Sequence, residues 1–169
     1  MERPPEQVPP PSRLESVLVA LAFLVVVLLI GQLGGAITAP ALLDWYPTLA
    51  KPEFTPPNWV FPVAWTFLYI LMAVAAWLVW RAAGGFMRAP DAFGFWALQL
   101  ALNLAWSFLF FGLRSPGLGL LCVLALMVVI ALTIAAFLKR SRPAAWLLIP
   151  YLLWVGFATA LNFEIWRMN

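Results

Sequence analysis

Long apolar stretches alternate along almost the whole chain with short segments rich in proline, glycine and charged residues. A helix needs about 20 apolar residues to cross the hydrocarbon core of a bilayer, and each stretch is long enough to do so. The pattern predicts an all-α integral membrane protein, a bundle of five transmembrane helices. The expected spans are about residues 16–37, 59–80, 91–111, 118–138 and 144–166.

Two segments outside the spans differ in what they predict. Residues 1–13 are rich in proline and charge, so we expect a disordered N-terminal tail before a transmembrane domain at residues 14–169. Residues 39–58 combine prolines with aromatic side chains, which favours a rigid lid above the bundle. Asn58 is expected to cap the second span. The lid residues are Trp45, Tyr46, Lys51, Pro52, Phe54 and Pro57.

Composition supports the membrane class and removes several functions. Hydrophobic residues make up 64% of the chain, charged residues 10%, and the mean hydropathy is +0.94. Soluble domains carry about 25% charged residues. No tract is rich in lysine and arginine, so nucleic acid is not an expected partner. Histidine is absent and Cys122 is the single cysteine, so the sequence predicts no metal site, no haem ligation and no Ser–His or Cys–His catalysis.

Lysine and arginine are distributed unevenly between the two sides of the predicted bundle. Short cytoplasmic loops carry an excess of these residues. The tail and the loops after the second and fourth spans contain seven of the ten, whereas the lid, the loop after the third span and the C-terminus contain three. We therefore expect a multi-pass protein with a cytoplasmic N-terminus and an external lid. A bacterial cell membrane is the expected location.

The third span carries a polar stripe, because Gln99, Asn103 and Ser107 are spaced by four residues and share one helix face. Lipid offers no hydrogen-bond partners, so these side chains must face protein or a cavity. They either bond to neighbouring helices, at about 0.6 kcal/mol per bond, or line a binding site. The spacing alone leaves both interpretations open.

Small residues form two candidate contact faces. Ala97, Ala101 and Ala105 lie on the side of the third span opposite the polar stripe. Small side chains let helices approach closely in lipid, so we expect the alanine face to contribute to a homodimer. Exposure of the alanines to lipid is the alternative. Gly31 and Gly35 in the first span either assist such a contact or loosen the end of the helix.

The fifth span presents a mixed aromatic and polar face. Tyr151, Trp154, Ala158 and Asn162 recur at helical spacing, and Pro150 is expected to kink the helix beside them. Such a face, like the polar stripe of the third span, suits a site inside the bundle.

Tryptophans occur both near the span ends and deep within the spans. Those near the ends, expected to anchor the protein at the membrane interface, are Trp45, Trp59, Trp146 and Trp166. Trp65, Trp106 and Trp154 lie deeper, and Trp65 shares a helix face with Tyr69. A deep indole beside tyrosine or asparagine suits the lining of a site for a flat aromatic ligand.

These residues together resemble the TspO/MBR family, also called translocator proteins, tryptophan-rich sensory proteins or peripheral-type benzodiazepine receptors. The similarity covers about residues 15–169 and rests on blocks at residues 45–69, 99–112 and 150–167. The blocks read W-Y-x-x-L-x-K-P and P-P-x-W-V-F-x-x-x-W-T-x-L-Y, then Q-L-x-L-N-x-x-W-x-x-x-F-F-G, then P-Y-L-x-W-x-x-F-A-T-x-L-N-x-x-x-W-R.

The resemblance implies a five-helix bundle, often dimeric, that binds tetrapyrroles such as protoporphyrin IX as ligands and requires no cofactor. It also implies binding of synthetic isoquinoline carboxamides and benzodiazepines. Some members bind sterols, but Phe163 stands where the sterol motif of animal members has tyrosine, so this chain departs from that motif. The ligand-binding residues expected from the sequence and the resemblance together are Trp59, Trp65, Tyr69, Asn103, Trp106, Ser107, Tyr151, Trp154 and Ala158.

Three functions remain open from the sequence. The leading one is a membrane receptor or carrier for porphyrin-like molecules with a regulatory role. The first alternative is an enzyme that degrades porphyrins by tryptophan-mediated photo-oxidative chemistry, for which the resemblance indicates Trp65 and Trp154 as candidates. The second alternative is a structural membrane scaffold, which the rigid lid disfavours because helix packing alone does not need one.

Overall fold

The computed structural model describes residues 11–169, and the tail predicted for residues 1–10 lies outside this range. Five helices are long and apolar enough to cross a membrane, and no strand forms within the described range. The predicted all-α membrane architecture is confirmed. The helices are α1 (Arg13–Asp44), α2 (Val60–Ala83), α3 (Pro90–Gly112), α4 (Pro116–Leu138) and α5 (Arg142–Met168).

The five helices form a ring in the order α1, α2, α5, α4, α3. Each packs against its two neighbours in this order, and α2 meets α5 at the first segment of that helix, Arg142–Leu147. The half of the ring remote from the lid has a filled interior, with Val27, Met72, Ile130 and Phe137 fully buried. Because lipid tails are as apolar as these side chains, close packing rather than exclusion of water stabilises this interior.

Local sequence signals set several helix ends. Ser12, Ser115 and Ser141 are N-caps, and each hydroxyl oxygen accepts a hydrogen bond from the backbone N–H three residues further on. α2 ends at Gly84, whose φ of 75° is left-handed and therefore suits glycine. The last turn of α3, Phe108–Gly112, is π-helical, which the sequence did not indicate.

α1 is longer than predicted. It continues through Pro40 to Asp44, so the start of the predicted lid is helical instead. Pro40 lacks the N–H that would continue the helical hydrogen bonding. Contacts beyond it compensate, because Trp45 at the end of the helix packs edge-on against Phe110 of α3, with ring centroids 5.7 Å apart. The lid is therefore residues 45–59.

The prediction that Asn58 caps α2 is wrong. Trp59 occupies the N-cap position, and its side chain makes no capping hydrogen bond. The N–H of Val60 donates instead to the carbonyl of Pro57 at 3.0 Å. The turn that begins at Pro57 thus already satisfies the first free N–H of the helix, and an asparagine side chain is not needed there.

α5 is interrupted beside Pro150, as predicted. Its two segments, Arg142–Leu147 and Ile149–Met168, are separated at Leu148. Proline cannot donate the backbone hydrogen bond that a continuous helix requires at this position. The second segment carries the face predicted to enter the site.

Candidate ligand-binding cavity

A cavity of about 420 Å³ lies in the half of the ring nearest the lid. Its wall comes from α1, α2, α3, α5 and the lid, and its volume lies within the range of about 300–1,000 Å³ that is typical of ligand pockets. The aromatic lining residues are Tyr46, Phe61, Trp65, Tyr69, Trp106, Phe110 and Phe111. The lining residues with an amide or hydroxyl group on an aliphatic side chain are Gln32, Thr38, Asn58, Thr66, Asn103, Ser107 and Asn162.

The cavity exists because α1 separates from α2 beyond Gly31. A Cβ atom at Gly31 would lie 2.8 Å from the ring of Tyr69, so glycine permits the closest approach of the two helices there. Nearer the lid α1 contacts α3 instead, and a Cβ atom at Gly34 would lie 3.3 Å from Oγ of Ser107. Gly31 therefore makes its close contact within the chain, whereas a Cβ atom at Gly35 would meet nothing within 4 Å.

Asn103 joins three helices at the floor of the cavity. The hydroxyl of Tyr69 donates to Oδ1 of Asn103 at 2.7 Å, and Nδ2 of Asn103 donates to the hydroxyl oxygen of Tyr151 at 3.3 Å. Asn103 is 4% exposed, as its place in the polar stripe predicts. Asn103 therefore bonds to neighbouring helices and also lines the cavity.

A second amide fixes the orientation of Trp106. The indole N–H of Trp106 donates to Oδ1 of Asn162 at 3.0 Å, and Nδ2 of Asn162 donates to the carbonyl oxygen of Pro116 at 2.8 Å. A Cβ atom at Gly119 would lie 3.0 Å from the same Oδ1, so α4 passes directly behind this amide. The bonds hold Trp106 in the cavity wall between α3, α4 and α5.

Aromatic rings continue the wall on both sides of these amides. Trp65 packs against Tyr69 and Tyr151, with ring centroids 5.8 and 6.2 Å away. Trp106 stacks on Phe110 at 5.4 Å. Neighbouring rings of this kind offer flat apolar faces with a few fixed polar atoms, which suits a flat conjugated ligand.

One lysine holds the start of the lid in shape. Nζ of Lys51 donates to the carbonyl oxygens of Tyr46 and Leu49 at 2.7 and 2.8 Å and lies 4.8 Å from the centre of the Tyr46 ring. Burial raises the pKa of the Tyr46 phenol, so this ring is neutral where it lines the cavity.

Further along the lid, Phe54 packs against Phe157 of α5, with ring centroids 6.1 Å apart. The predicted lid residues outside the cavity lining are Trp45, Lys51, Pro52, Phe54 and Pro57.

Three of the predicted ligand-binding residues do not line the cavity. Trp59 is 68% exposed, as an interfacial anchor would be. Tyr151 is buried behind the floor and reaches the cavity through Asn103. Trp154 packs against Phe61 with ring centroids 5.9 Å apart, and Phe61 lines the cavity in its place. The other predicted residues do line it: Trp65, Tyr69, Asn103, Trp106, Ser107 and Ala158.

α1 contributes a whole side of the cavity that sequence reasoning missed. Gln32, Gly35, Thr38 and Leu42 line it at intervals of three or four residues. Small and polar residues recurring at this spacing in an otherwise apolar span were the available signal.

The cavity wall carries no acidic or basic side chain among the described residues. No group of three or more histidine, cysteine, aspartate or glutamate residues that could hold a metal ion occurs in residues 11–169. The wall can therefore act on a ligand through aromatic contact and hydrogen bonds from neutral groups.

The two faces of α3 have opposite surroundings. Gln99 and Ser107 are buried with Asn103, whereas Ala97 and Ala101 are exposed on the outer surface of the ring and Ala105 is partly buried. The alanine face is thus free of contacts with the other helices along most of its length.

The profile of the TspO/MBR family matches residues 22–167. A tryptophan-rich protein TspO of Archaeoglobus fulgidus is 42% identical over 91% of this chain and 99% of its own. A tryptophan-rich sensory protein of Cereibacter sphaeroides is 42% identical over 80% of this chain and 85% of its own. A translocator protein of Bos taurus is 40% identical over 89% of each. Since both the profile and these relatives cover most of its length, this integral membrane protein belongs to the TspO/MBR family.

Proposed function

We propose that this protein is a membrane receptor or carrier that binds flat hydrophobic tetrapyrroles, such as protoporphyrin IX, in the cavity and couples their level to regulation. The observation that carries the proposal is the aromatic wall of a cavity of about 420 Å³ inside the ring. Trp65 and Trp106 present indole rings to this space, and stacking on such rings favours a conjugated macrocycle.

Polar atoms of the wall would orient the ligand. Oδ1 of Asn103 accepts one hydrogen bond and Nδ2 donates one, so each retains capacity for a second. An amide already fixed by Tyr69 and Tyr151 loses little freedom when it binds a ligand, which favours affinity. Ligand carboxylates would stay outside the wall, because no basic side chain lines it.

Titration of the purified protein in detergent with protoporphyrin IX, followed by tryptophan fluorescence, tests the proposal. We expect the fluorescence to be quenched, because two tryptophans line the cavity. The quenching should saturate at one equivalent of porphyrin per chain, because the proposed site is one cavity. N-acetyltryptophanamide in the same detergent is the control for non-specific quenching. Quenching that never saturates, or that matches the control, would contradict the proposal.

The same titration separates binding from degradation. A receptor leaves the absorbance of bound porphyrin unchanged in the light and in the dark. An enzyme consumes more porphyrin than its own concentration. Trp65 is the candidate that the cavity favours for such chemistry, because Trp65 lines the cavity and Trp154 does not.

We also propose a homodimer that uses Ala97, Ala101 and Ala105, and an orientation with the N-terminus in the cytoplasm. The exposure of Ala97 and Ala101 on the outer surface supports the first. The excess of lysine and arginine on the side of the ring opposite the lid supports the second.

A further inference from the structure

The cavity is open on one side, between α1 and α2. Gln32 and Gly35 of α1 and Pro62 and Thr66 of α2 all line it, and all four are exposed. Thr66 lies six residues beyond the start of α2, which corresponds to about 9 Å along the helix. Since both helices are membrane spans, this gap faces the lipid rather than the water above the lid.

The position of the gap follows from the path of α1. α1 contacts α2 closely at Gly31. Nearer the lid it packs against the end of α3, where a Cβ atom at Gly112 would lie 3.4 Å from the side chain of Ile37. α2 is left without its neighbour over the half nearest the lid. At Gly35, in the middle of the gap, an added Cβ atom would meet nothing within 4 Å.

The lid, in contrast, is fastened to its surroundings. The N–H of Ala50 donates to Oδ1 of Asn169 and Nδ2 of Asn169 donates back to the carbonyl oxygen of Ala50, both at 3.0 Å. Phe54 of the lid also packs against Phe157 of α5, with ring centroids 6.1 Å apart. Opening the lid therefore breaks hydrogen bonds, whereas passage through the gap breaks none of them.

The rim of the gap is polar although it faces lipid. The side chain of Thr66 donates to the carbonyl oxygen of Pro62 within α2, at 2.8 Å. Gln32 presents an exposed amide in the middle of a membrane span. Polar groups at this depth are costly unless they meet a partner, and a polar edge of a passing ligand would supply one.

We propose that the ligand enters and leaves the cavity sideways from the bilayer, through the gap between α1 and α2, while the lid stays closed. The identity of the ligand rests on the proposed function, but the route rests on the gap and the fastened lid. Gly35 keeps the route open because any larger side chain there would project into the gap.

Rates of protoporphyrin IX exchange in lipid nanodiscs test the route. Gly35→Leu is expected to lower both the association and the dissociation rate constant by about tenfold, as a narrowed gate does. Leucine also favours helix over glycine, so the fold should persist. Ala36→Leu, at an exposed position outside the cavity lining, is the matched control and should leave both rates unchanged.

A variant with a loosened lid tests the alternative route, in which the ligand passes through the lid. Asn169→Ala removes the two hydrogen bonds to the backbone of Ala50 and should leave the exchange rates unchanged. Faster exchange in Asn169→Ala together with unchanged exchange in Gly35→Leu would overturn the proposal in favour of the lid. Faster dissociation in Gly35→Leu would also overturn it, because the leucine would then displace the bound ligand instead of slowing its passage.

A second measurement does not depend on porphyrin. In a Cys122→Ala background, Ser107→Cys places a thiol on the cavity wall, and lipid-soluble N-phenylmaleimide should label it from the bilayer. Gly35→Leu should slow this labelling and Ala36→Leu should not. Equal labelling in both variants would overturn the route. The expected labelling of the Ser107→Cys protein, together with no porphyrin binding by the wild-type protein, would contradict the proposed function alone.

Discussion

The hydroxyl group of Tyr69 donates a 2.7 Å hydrogen bond to Oδ1 of Asn103 and so joins α2 to α3 at the floor of the cavity. The partner amide also bonds to Tyr151 of α5, so a single side chain connects three of the five helices. The connection between the helices and part of the cavity wall therefore depend on the same residue.

Tyr69→Phe is expected to destabilise the bundle. The change removes the hydroxyl but keeps the ring that packs on Gly31, so the free energy of unfolding should fall by about 0.6 and at most about 1.7 kcal/mol. Unfolding in SDS, followed by circular dichroism, measures the loss. The control is Thr66→Val, because the Thr66 hydroxyl bonds only within its own helix. Equal losses in the two variants would show that the bond between helices adds nothing.

Trp65→Ala is expected to weaken protoporphyrin IX binding by about 1–3 kcal/mol, the contribution of a large buried contact. This corresponds to a Kd roughly 5- to 150-fold higher. Trp154→Ala should have a smaller effect, because that ring packs against Phe61 and does not itself line the cavity. Trp146→Phe, at a position that is 68% exposed, should leave Kd unchanged. A loss in Trp146→Phe as large as in Trp65→Ala would contradict the assignment of the cavity.

Ala158→Thr is expected to weaken binding through crowding. Ala158 lines the cavity, and added atoms in a filled site cost about 1–3 kcal/mol. Ala160→Thr adds the same atoms two residues away at an exposed position and serves as the control. Isothermal titration with protoporphyrin IX measures both. Unchanged affinity in Ala158→Thr would place the ligand away from this part of α5.

Cysteine labelling in whole cells tests the orientation. In a Cys122→Ala background, Thr48→Cys in the lid should react with a membrane-impermeant maleimide, and Ser12→Cys should be shielded until the cells are lysed. Both positions are exposed on the protein surface, so a difference between them reports the side of the membrane. The reverse pattern would show that the N-terminus lies outside.

Ala101→Leu is expected to convert the proposed homodimer to a monomer in detergent. Helices associate in lipid through close contact of small residues, and a leucine at the centre of the alanine face would hold the two subunits apart. Light scattering coupled to size exclusion measures the mass. Ala131→Leu, on the exposed face of α4, is the control. A dimer that persists in Ala101→Leu would place the interface elsewhere.

The membrane spans could be predicted from the sequence because lipid thickness imposes a minimum apolar length that is visible residue by residue. The end of α1 could not. Pro40 suggested a loop, and only the contact of Trp45 with Phe110 explains why the helix continues past it. Such contacts join residues that are far apart in the chain, and local patterns do not reveal them.

The candidate site was predicted where a helix face carried polar or aromatic residues, as for Asn103, Trp65 and Ala158. Spacing gives the direction in which a side chain points but not what stands in front of it. Trp154 shares the predicted face of α5, yet Phe61, which packs edge-on against it, lines the cavity and Trp154 does not. The α1 side was missed because its lining residues are mostly small or aliphatic.

The cavity wall carries no acidic or basic side chain, and this determines how the membrane potential can affect ligand binding. Moving one elementary charge through the membrane potential changes the free energy by about 2.3 kcal/mol per 100 mV. A neutral ligand that fills this cavity moves no charge of the wall, so its occupancy should not respond to voltage. Only ionised groups carried by the ligand itself would couple occupancy to the potential, and a neutral ligand would be held equally well in energised and de-energised membranes.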